Sequence, residues 1–244
     1  MKTALTIAGS DPSGGAGIQA DLLTFNAFGL KGLSAVTAIT VQTGASVKAV
    51  EPVSPRLLKE QIEALFEEYS ADAVKIGMLA RAGLVDVVRR IVKKRGLKNV
   101  VLDTVLSSTS GYRLLDEDGI DALKRLIPLV TVVTPNIEEA AILSGTKLGG
   151  IDGMAEAAER IHSLGAPYVL IKGGHLKGAP TDLLYDGKGF LHFKGRRVRG
   201  GPKRLHGTGC LLSSAIAAGL AKGRGVAKAV EDGKRYVIDV LKRR

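Results

Sequence analysis

Tryptophan is absent from this sequence, and cysteine occurs once, at position 210. A single cysteine forms no internal disulfide, so a reducing compartment, the cytoplasm, is expected. Aromatic residues amount to 4 %, too few for the stacking platforms that hold single-stranded nucleic acid. No apolar run approaches the roughly 20 residues of a spanning helix. The opening stretch from Met1 to Gly9 is too short for the apolar core of a signal peptide and runs into Asp11. Neither nucleic acid nor a membrane is therefore expected as a partner.

Several catalytic signatures are missing too. The four histidines show no zinc-ligand spacing. No Gly-x-Ser-x-Gly elbow is present. Gly9-x4-Gly14-Gly15 has glycine where a phosphate-binding P-loop needs lysine. Gly15-x-Gly17-x-x-Ala20 has the form of a dinucleotide fingerprint, but six loop residues separate it from the preceding strand. No acidic residue stands about 20 positions on either, since the next after Asp21 is Glu51.

What remains is a chain of 244 residues, 45 % apolar, with a net charge of +11. The basic residues are spread along expected helices, with clusters at Lys194 to Arg204 and Lys242 to Arg244. That suits a solvated surface and an anionic small substrate. No linker or fixed-period repeat divides it, so residues 1–244 are expected to form one domain.

Apolar patterning predicts strands at Lys2–Ala8, Gly32–Val41, Val47–Val53, Ala73–Ile76, Asn99–Asp103, Leu129–Thr134 and Tyr168–Lys172. Helices are predicted at Ala16–Phe28, Pro55–Tyr69, Ala82–Arg95, Asp116–Ile127, Asn136–Leu143, Asp152–Leu164 (with Asp152 as cap), Gly209–Ala221 and Val226–Leu241. Thr181–Tyr185 and Phe190–Phe193 flank Asp186-Gly187 and read as an antiparallel hairpin. This alternation predicts an α/β fold: a three-layer α/β/α sandwich with a mostly parallel central sheet and helices on both faces. Ligands then lie beyond the carboxyl ends of the strands, where polar and glycine-rich residues recur.

One stretch there stands out: His206-Gly207-Thr208-Gly209-Cys210, followed by a small-residue helix. The first amides of a helix lack partners, and with the helix dipole they attract an anion. Cys210 falls in the first turn, where the dipole also favours a thiolate. Asp103 ends a strand and can hold or orient a metal. Asn136 and Glu139, three apart on a helix, offer hard oxygen ligands on one face. Lys172 can neutralise a phosphate, and His175 and His206 are candidate bases. The loop Gly9–Gly15 is expected to be flexible and to close over a small substrate. Each residue also has an ordinary reading, as turn, cap or core residue. Together they suit phosphoryl transfer, which needs positioning and charge stabilisation more than covalent work.

The motifs Ile7-Ala8-Gly9-Ser10-Asp11-Pro12-Ser13-Gly14-Gly15-Ala16-Gly17, Ala38-Ile39-Thr40-Val41-Gln42-Thr43 and Val74-Lys75-Ile76-Gly77-Met78-Leu79 occur in order. Thr134-Pro135-Asn136-x-x-Glu139-Ala140, Ile171-Lys172-Gly173-Gly174-His175 and His206-Gly207-Thr208-Gly209-Cys210 follow. In this conjunction the chain resembles the hydroxymethylpyrimidine/phosphomethylpyrimidine kinases of the ribokinase-like superfamily. The resemblance implies ATP-dependent phosphorylation of 4-amino-5-hydroxymethyl-2-methylpyrimidine, and then of the monophosphate to the diphosphate, in thiamin biosynthesis. It implies that Gln42 reads the aminopyrimidine edge, that Ala16, Met78 and Val105 pack the ring, and that Gly9 and Asp21 lie at the substrate. It implies Cys210 as the acceptor's base, with Gly207, Thr208 and Gly209 as the anion hole. Asn136, Lys172 and Thr208 then serve the nucleotide, and Glu139 and Asp103 serve Mg2+. A homodimer is implied as well.

Some positions depart from the family's usual pattern. Thr104 stands where proline is usual, Thr109 where a lysine is usual, Arg204-Leu205 where Asn-Thr often stands, and Leu211 where threonine is frequent. These bear on how the monophosphate is held for the second step. Two other readings share most of these features: a pyridoxal/pyridoxine kinase of the same superfamily, and a non-catalytic pyrimidine-binding regulator. Gln42 and Met78 favour the pyrimidine, while Cys210 with Glu139 argues for an active enzyme.

Overall fold

A strand such as Val100-Val101-Leu102, apolar at consecutive positions, is stable only where both its faces are covered. The structure, a computed structural model describing residues 1–108, 110–148, 150–174, 179–195 and 206–243, gives it that place. It lies inside a nine-stranded sheet of order β3-β2-β1-β4-β5-β6-β7-β8-β9. The strands are β1 (Thr3–Ser10), β2 (Lys31–Gln42), β3 (Val47–Pro52), β4 (Ala73–Ile76), β5 (Val100–Leu102), β6 (Val132–Val133), β7 (Tyr168–Ile171), β8 (Thr181–Tyr185) and β9 (Phe190–Lys194). From β2 through β7 the neighbours run parallel. β3, β8 and β9 pair antiparallel at the two edges, β8 and β9 as the expected hairpin.

The helices are α1 (Gly17–Ala27), α2 (Pro55–Glu68), α3 (Ala82–Arg95), α4 (Glu117–Leu126), α5 (Ile137–Ser144), α6 (Gly150–His162), α7 (Thr208–Ala221) and α8 (Val226–Arg243). Because side chains alternate along a strand, adjacent residues feed opposite layers. Leu5, Val74, Leu102 and Val133 join the cluster under α2 to α6. Ala4, Ala73, Val101 and Val132 join the one under α1, α7 and α8. This is the expected three-layer arrangement. Strand order reverses between β1 and β4, and the crevice at such a switch is where ligands of open parallel sheets bind.

Several boundaries differ from expectation. β1 runs two residues further than predicted, so Gly9 and Ser10 are strand, and Gln42 closes β2 one residue beyond the predicted end. The strand predicted at Leu129–Thr134 shrinks to Val132–Val133. Pro128 instead sits in a short 3-10 turn over Ile127–Leu129, since its fixed φ suits the start of a helical turn. α6 begins at Gly150, which places Asp152 inside the first turn, beside the helix dipole, and not at the cap. Asp116 does not cap its own helix by a side-chain bond; its Oδ1 accepts the Ala82 amide at 3.0 Å and so caps α3.

Candidate functional site

The carboxyl ends of β1, β4, β5 and β7 and the start of α7 surround a cleft of about 260 Å³. Gly9, Ala16, Gln42, Met78, Asp103, Val105, Asn136, Glu139, Lys172, Gly207, Thr208, Gly209 and Cys210 all line it. These residues span most of the chain, and the sheet topology brings them together.

α7 opens on Gly207, whose φ of 76° is the left-handed conformation that glycine adopts without strain. Leu211 makes the first bond of the helix ladder, to the Gly207 carbonyl at 2.9 Å. The amides of Thr208, Gly209 and Cys210 therefore have no partner within the helix. Thr208, Gly209 and Cys210 line the cleft where the sequence predicts an anion.

Beside them lies an ion pair. Lys172 Nζ donates to Asp103 Oδ1 at 2.6 Å, and Ser213 Oγ donates to Asp103 Oδ2 at 3.1 Å. Burial alone would raise the Asp103 pKa, but the Lys172 and Lys75 ammonium groups and the bonds from Lys172 and Ser213 bring it below the usual carboxylate range. The bridge between Asn136 and Lys172 aligns the two strand ends, with the Lys172 amide bonded to the Pro135 carbonyl at 2.8 Å. Asn136 and Glu139 form a capping box at the start of α5: Glu139 N donates to Asn136 Oδ1 at 2.9 Å, and Asn136 N donates to Glu139 Oε2 at 2.8 Å. The Thr104 hydroxyl also donates to Glu139 Oε2, at 2.9 Å. The threonine that departs from the family pattern thus holds the carboxylate of the family's Asn-x-x-Glu pair.

Two expectations change. Asp21 does not line the cleft. It is fully buried beneath it, accepting from Lys75 Nζ at 2.7 and 2.9 Å, from Thr6 Oγ1 at 2.6 Å and from Ser214 Oγ at 2.6 Å. A carboxylate so filled has no room for a substrate. The surroundings of Cys210 also work against the thiolate that its helix position favours. Burial, together with the Asp21 and Asp103 carboxylates, outweighs the Lys75 charge and pushes the thiol up to about 11.

The glycine loop is not loose. Asp11 Oδ1 accepts from Ser13 N and Oγ, both at 2.8 Å, and Oδ2 accepts from Ala16 N at 2.8 Å. His206 Nε2 contacts the same Oδ2 at 2.8 Å. Burial would raise the Asp11 pKa; bonds from Gln42, His206 and Ser13 lower it to about 2. His206 is engaged with this carboxylate, while His175, Thr109, Arg204 and Leu205 lie outside the described residues.

Sequence reasoning missed Lys75 and Ser213. A lysine in the middle of Ala73–Ile76, a strand covered on both faces, does signal a buried partner, but nothing in the sequence says which. Ser213 lies one turn after Gly209 in a helix of small residues and carries no signal of its own.

A doubly covered sheet, a switch-point cleft and a helix N-terminus at its wall suit an α/β enzyme that handles phosphate. Comparison with known proteins narrows this. The family model described as phosphomethylpyrimidine kinase matches residues 11–244, and the chain belongs to that family. A hydroxymethylpyrimidine/phosphomethylpyrimidine kinase of Aquifex aeolicus is 43 % identical over 241 residues, covering 98 % of this chain and 94 % of the relative. The crystal structure of a phosphomethylpyrimidine kinase of Clostridium difficile superposes with a TM-score of 0.87 at 42 % identity, covering 99 % of this chain and 100 % of that one. A Staphylococcus aureus pyridoxal kinase solved with AMP-PCP gives a TM-score of 0.90 at 34 % identity, covering 99 % of this chain and 88 % of that one.

Proposed function

We propose that this enzyme transfers the γ-phosphoryl group of ATP to the hydroxymethyl of 4-amino-5-hydroxymethyl-2-methylpyrimidine, and then to the monophosphate, in thiamin biosynthesis. The carrying observation is the convergence of the unpartnered α7 amides with Gln42 and Met78 on one side and the Asp103–Lys172 pair on the other. The nucleotide reading is supported by a related kinase solved with an ATP analogue.

In this reading the ring packs against Ala16, Met78 and Val105, and the Gln42 amide meets its amino edge, since an amide both donates and accepts. The acceptor oxygen then faces Cys210 and the start of α7. The transferring group carries charge on three oxygens, and the Thr208, Gly209 and Cys210 amides stabilise it where it develops. Lys172 and Asn136 meet the donor's phosphates. With its thiol protonated in the free enzyme, Cys210 is first a contact for the acceptor hydroxyl; it takes the hydroxyl's proton only in its thiolate form.

Glu139 and Asp103 are the oxygen donors for a divalent cation. Among the described residues no three acidic, histidine or cysteine side chains converge, so the chain offers no complete cage. That fits Mg2+, which is held by one or two carboxylates together with water and substrate phosphates and supplies charge neutralisation there. Residues 1–244 are read as one kinase domain that works as a homodimer on a small-molecule substrate.

A coupled ADP-release assay with hydroxymethylpyrimidine, its monophosphate and pyridoxal in parallel tests the proposal. Turnover with both pyrimidines is expected. Turnover confined to pyridoxal would transfer the assignment to the vitamin B6 branch, and no turnover with any of them would favour a non-catalytic binder. Cys210→Ser is expected to lower kcat far more than it weakens pyrimidine binding measured by calorimetry.

A further inference from the structure

The glycine loop and the loop that starts α7 lie far apart in sequence and meet at one carboxylate. We propose that Asp11 is a positioning residue: it clamps the glycine loop to His206 and thereby holds the first turn of α7 where the transferring phosphoryl group requires it. This rests on the phosphotransfer reading above.

What Asp11 can hold follows from the chemistry of a carboxylate. Its two oxygens only accept, with about four lone-pair sites. Asp11 uses them all: Ser13 N and Oγ on Oδ1, Ala16 N and His206 Nε2 on Oδ2. The side chain is 2 % exposed, so water does not replace a lost bond. One residue beyond His206 comes Gly207, the start of the anion site.

The two loops also touch with nothing between them. A Cβ on Gly207 would lie 1.8 Å from the Gly15 carbonyl oxygen, and a Cβ on Gly15 would lie 2.5 Å from His206 Cδ2. Movement of either loop therefore displaces the other. Stabilising donors act only when held at the right distance, and a misplacement of about 1 Å costs on the order of 100-fold in rate. Asp11 thus fixes two things at once: the wall of the acceptor pocket at Ala16, and the amides that stabilise the transfer.

Asp11→Asn is the diagnostic variant. It keeps the shape but turns an NH2 toward two of the four donors. Asp11→Asn and His206→Ala are expected to lower kcat by about 100-fold with the KM for ATP within about threefold. His206→Gln, which keeps an N–H at the reach of Nε2, is expected to recover most of the loss. Cys210 is the sole cysteine, so its alkylation by iodoacetamide reports on the first turn of α7 with no substrate present. It is expected to become several-fold faster in Asp11→Asn and His206→Ala and to return toward the wild-type rate in His206→Gln. That readout stands even if the pyrimidine assignment fails. Wild-type kcat and alkylation in a folded Asp11→Asn would overturn the proposal, as would a loss in His206→Ala that glutamine does not recover. If Asp11→Asn does not fold, the His206 pair carries the test, because it leaves the bonds of Asp11 within its own loop intact.

Discussion

Lys75 carries its charge where no water reaches it. Both it and Asp21 are fully buried, and burial, which alone would lower the Lys75 pKa, is outweighed by the Asp21 carboxylate, so the ammonium is retained. Removing one partner of such a pair leaves an uncompensated buried charge, at a cost of about 3–5 kcal/mol. Lys75→Met is therefore expected to lower unfolding free energy by that amount in urea titrations, and adding Asp21→Asn is expected to recover much of it. Cys210 gives a second residue-scale prediction. Thiolate is the reactive form, so with the thiol pushed up to about 11 its alkylation should rise about tenfold per pH unit from pH 7 toward 11. A plateau by pH 8 would show a depressed thiol instead. The residue scale is also where the sequence was least legible. The first-turn position of Cys210 pointed to a thiolate, because helix position can be read from sequence, whereas burial depth and the nearby Asp21 and Asp103 charges cannot. Asp21 looked like a substrate residue for the same reason: its partner Lys75 lies 54 positions away and pairs with it only once β4 is beside β1.

At the scale of elements, α7 is the critical one. Its start depends on the left-handed φ of Gly207 and on the missing side chain there. Gly207→Ala should shift the loop and lower kcat by at least about 10-fold, with far-UV circular dichroism unchanged. Elements were largely readable from the sequence, because period-2 and period-3.6 patterns follow from burial of one face or two. Central strands such as Val100-Val101-Leu102 and the amphipathic α3 were placed within a residue or two. The misreadings lie where a local signal was overridden. The glycines and the proline of residues 9–15 read as a loose loop, yet Asp11 ties that loop through bonds to Ser13, Ala16 and His206. The apolar run after α4 read as one strand, but Pro128 diverts its first part into a helical turn.

For the whole molecule, the sheet distributes the work. Gly9, Ala16, Gln42, Met78 and Val105 come from the first part of the chain, while Asn136, Glu139, Lys172, Thr208 and Gly209 come from the second. Gln42→Leu should therefore raise the KM for the pyrimidine while leaving the KM for ATP within about twofold, and Lys172→Met should do the reverse. Steady-state kinetics with each substrate varied in turn check this, and parallel changes in both constants would refute the division. Because strand order reverses between β1 and β4, Gly9, Ala16 and Gln42 reach the cleft from one side of the switch, and Met78, Asp103 and Val105 from the other. A cleft assembled across the switch depends on the register of β1 against β4, so a slip of that one strand pair would displace both groups together.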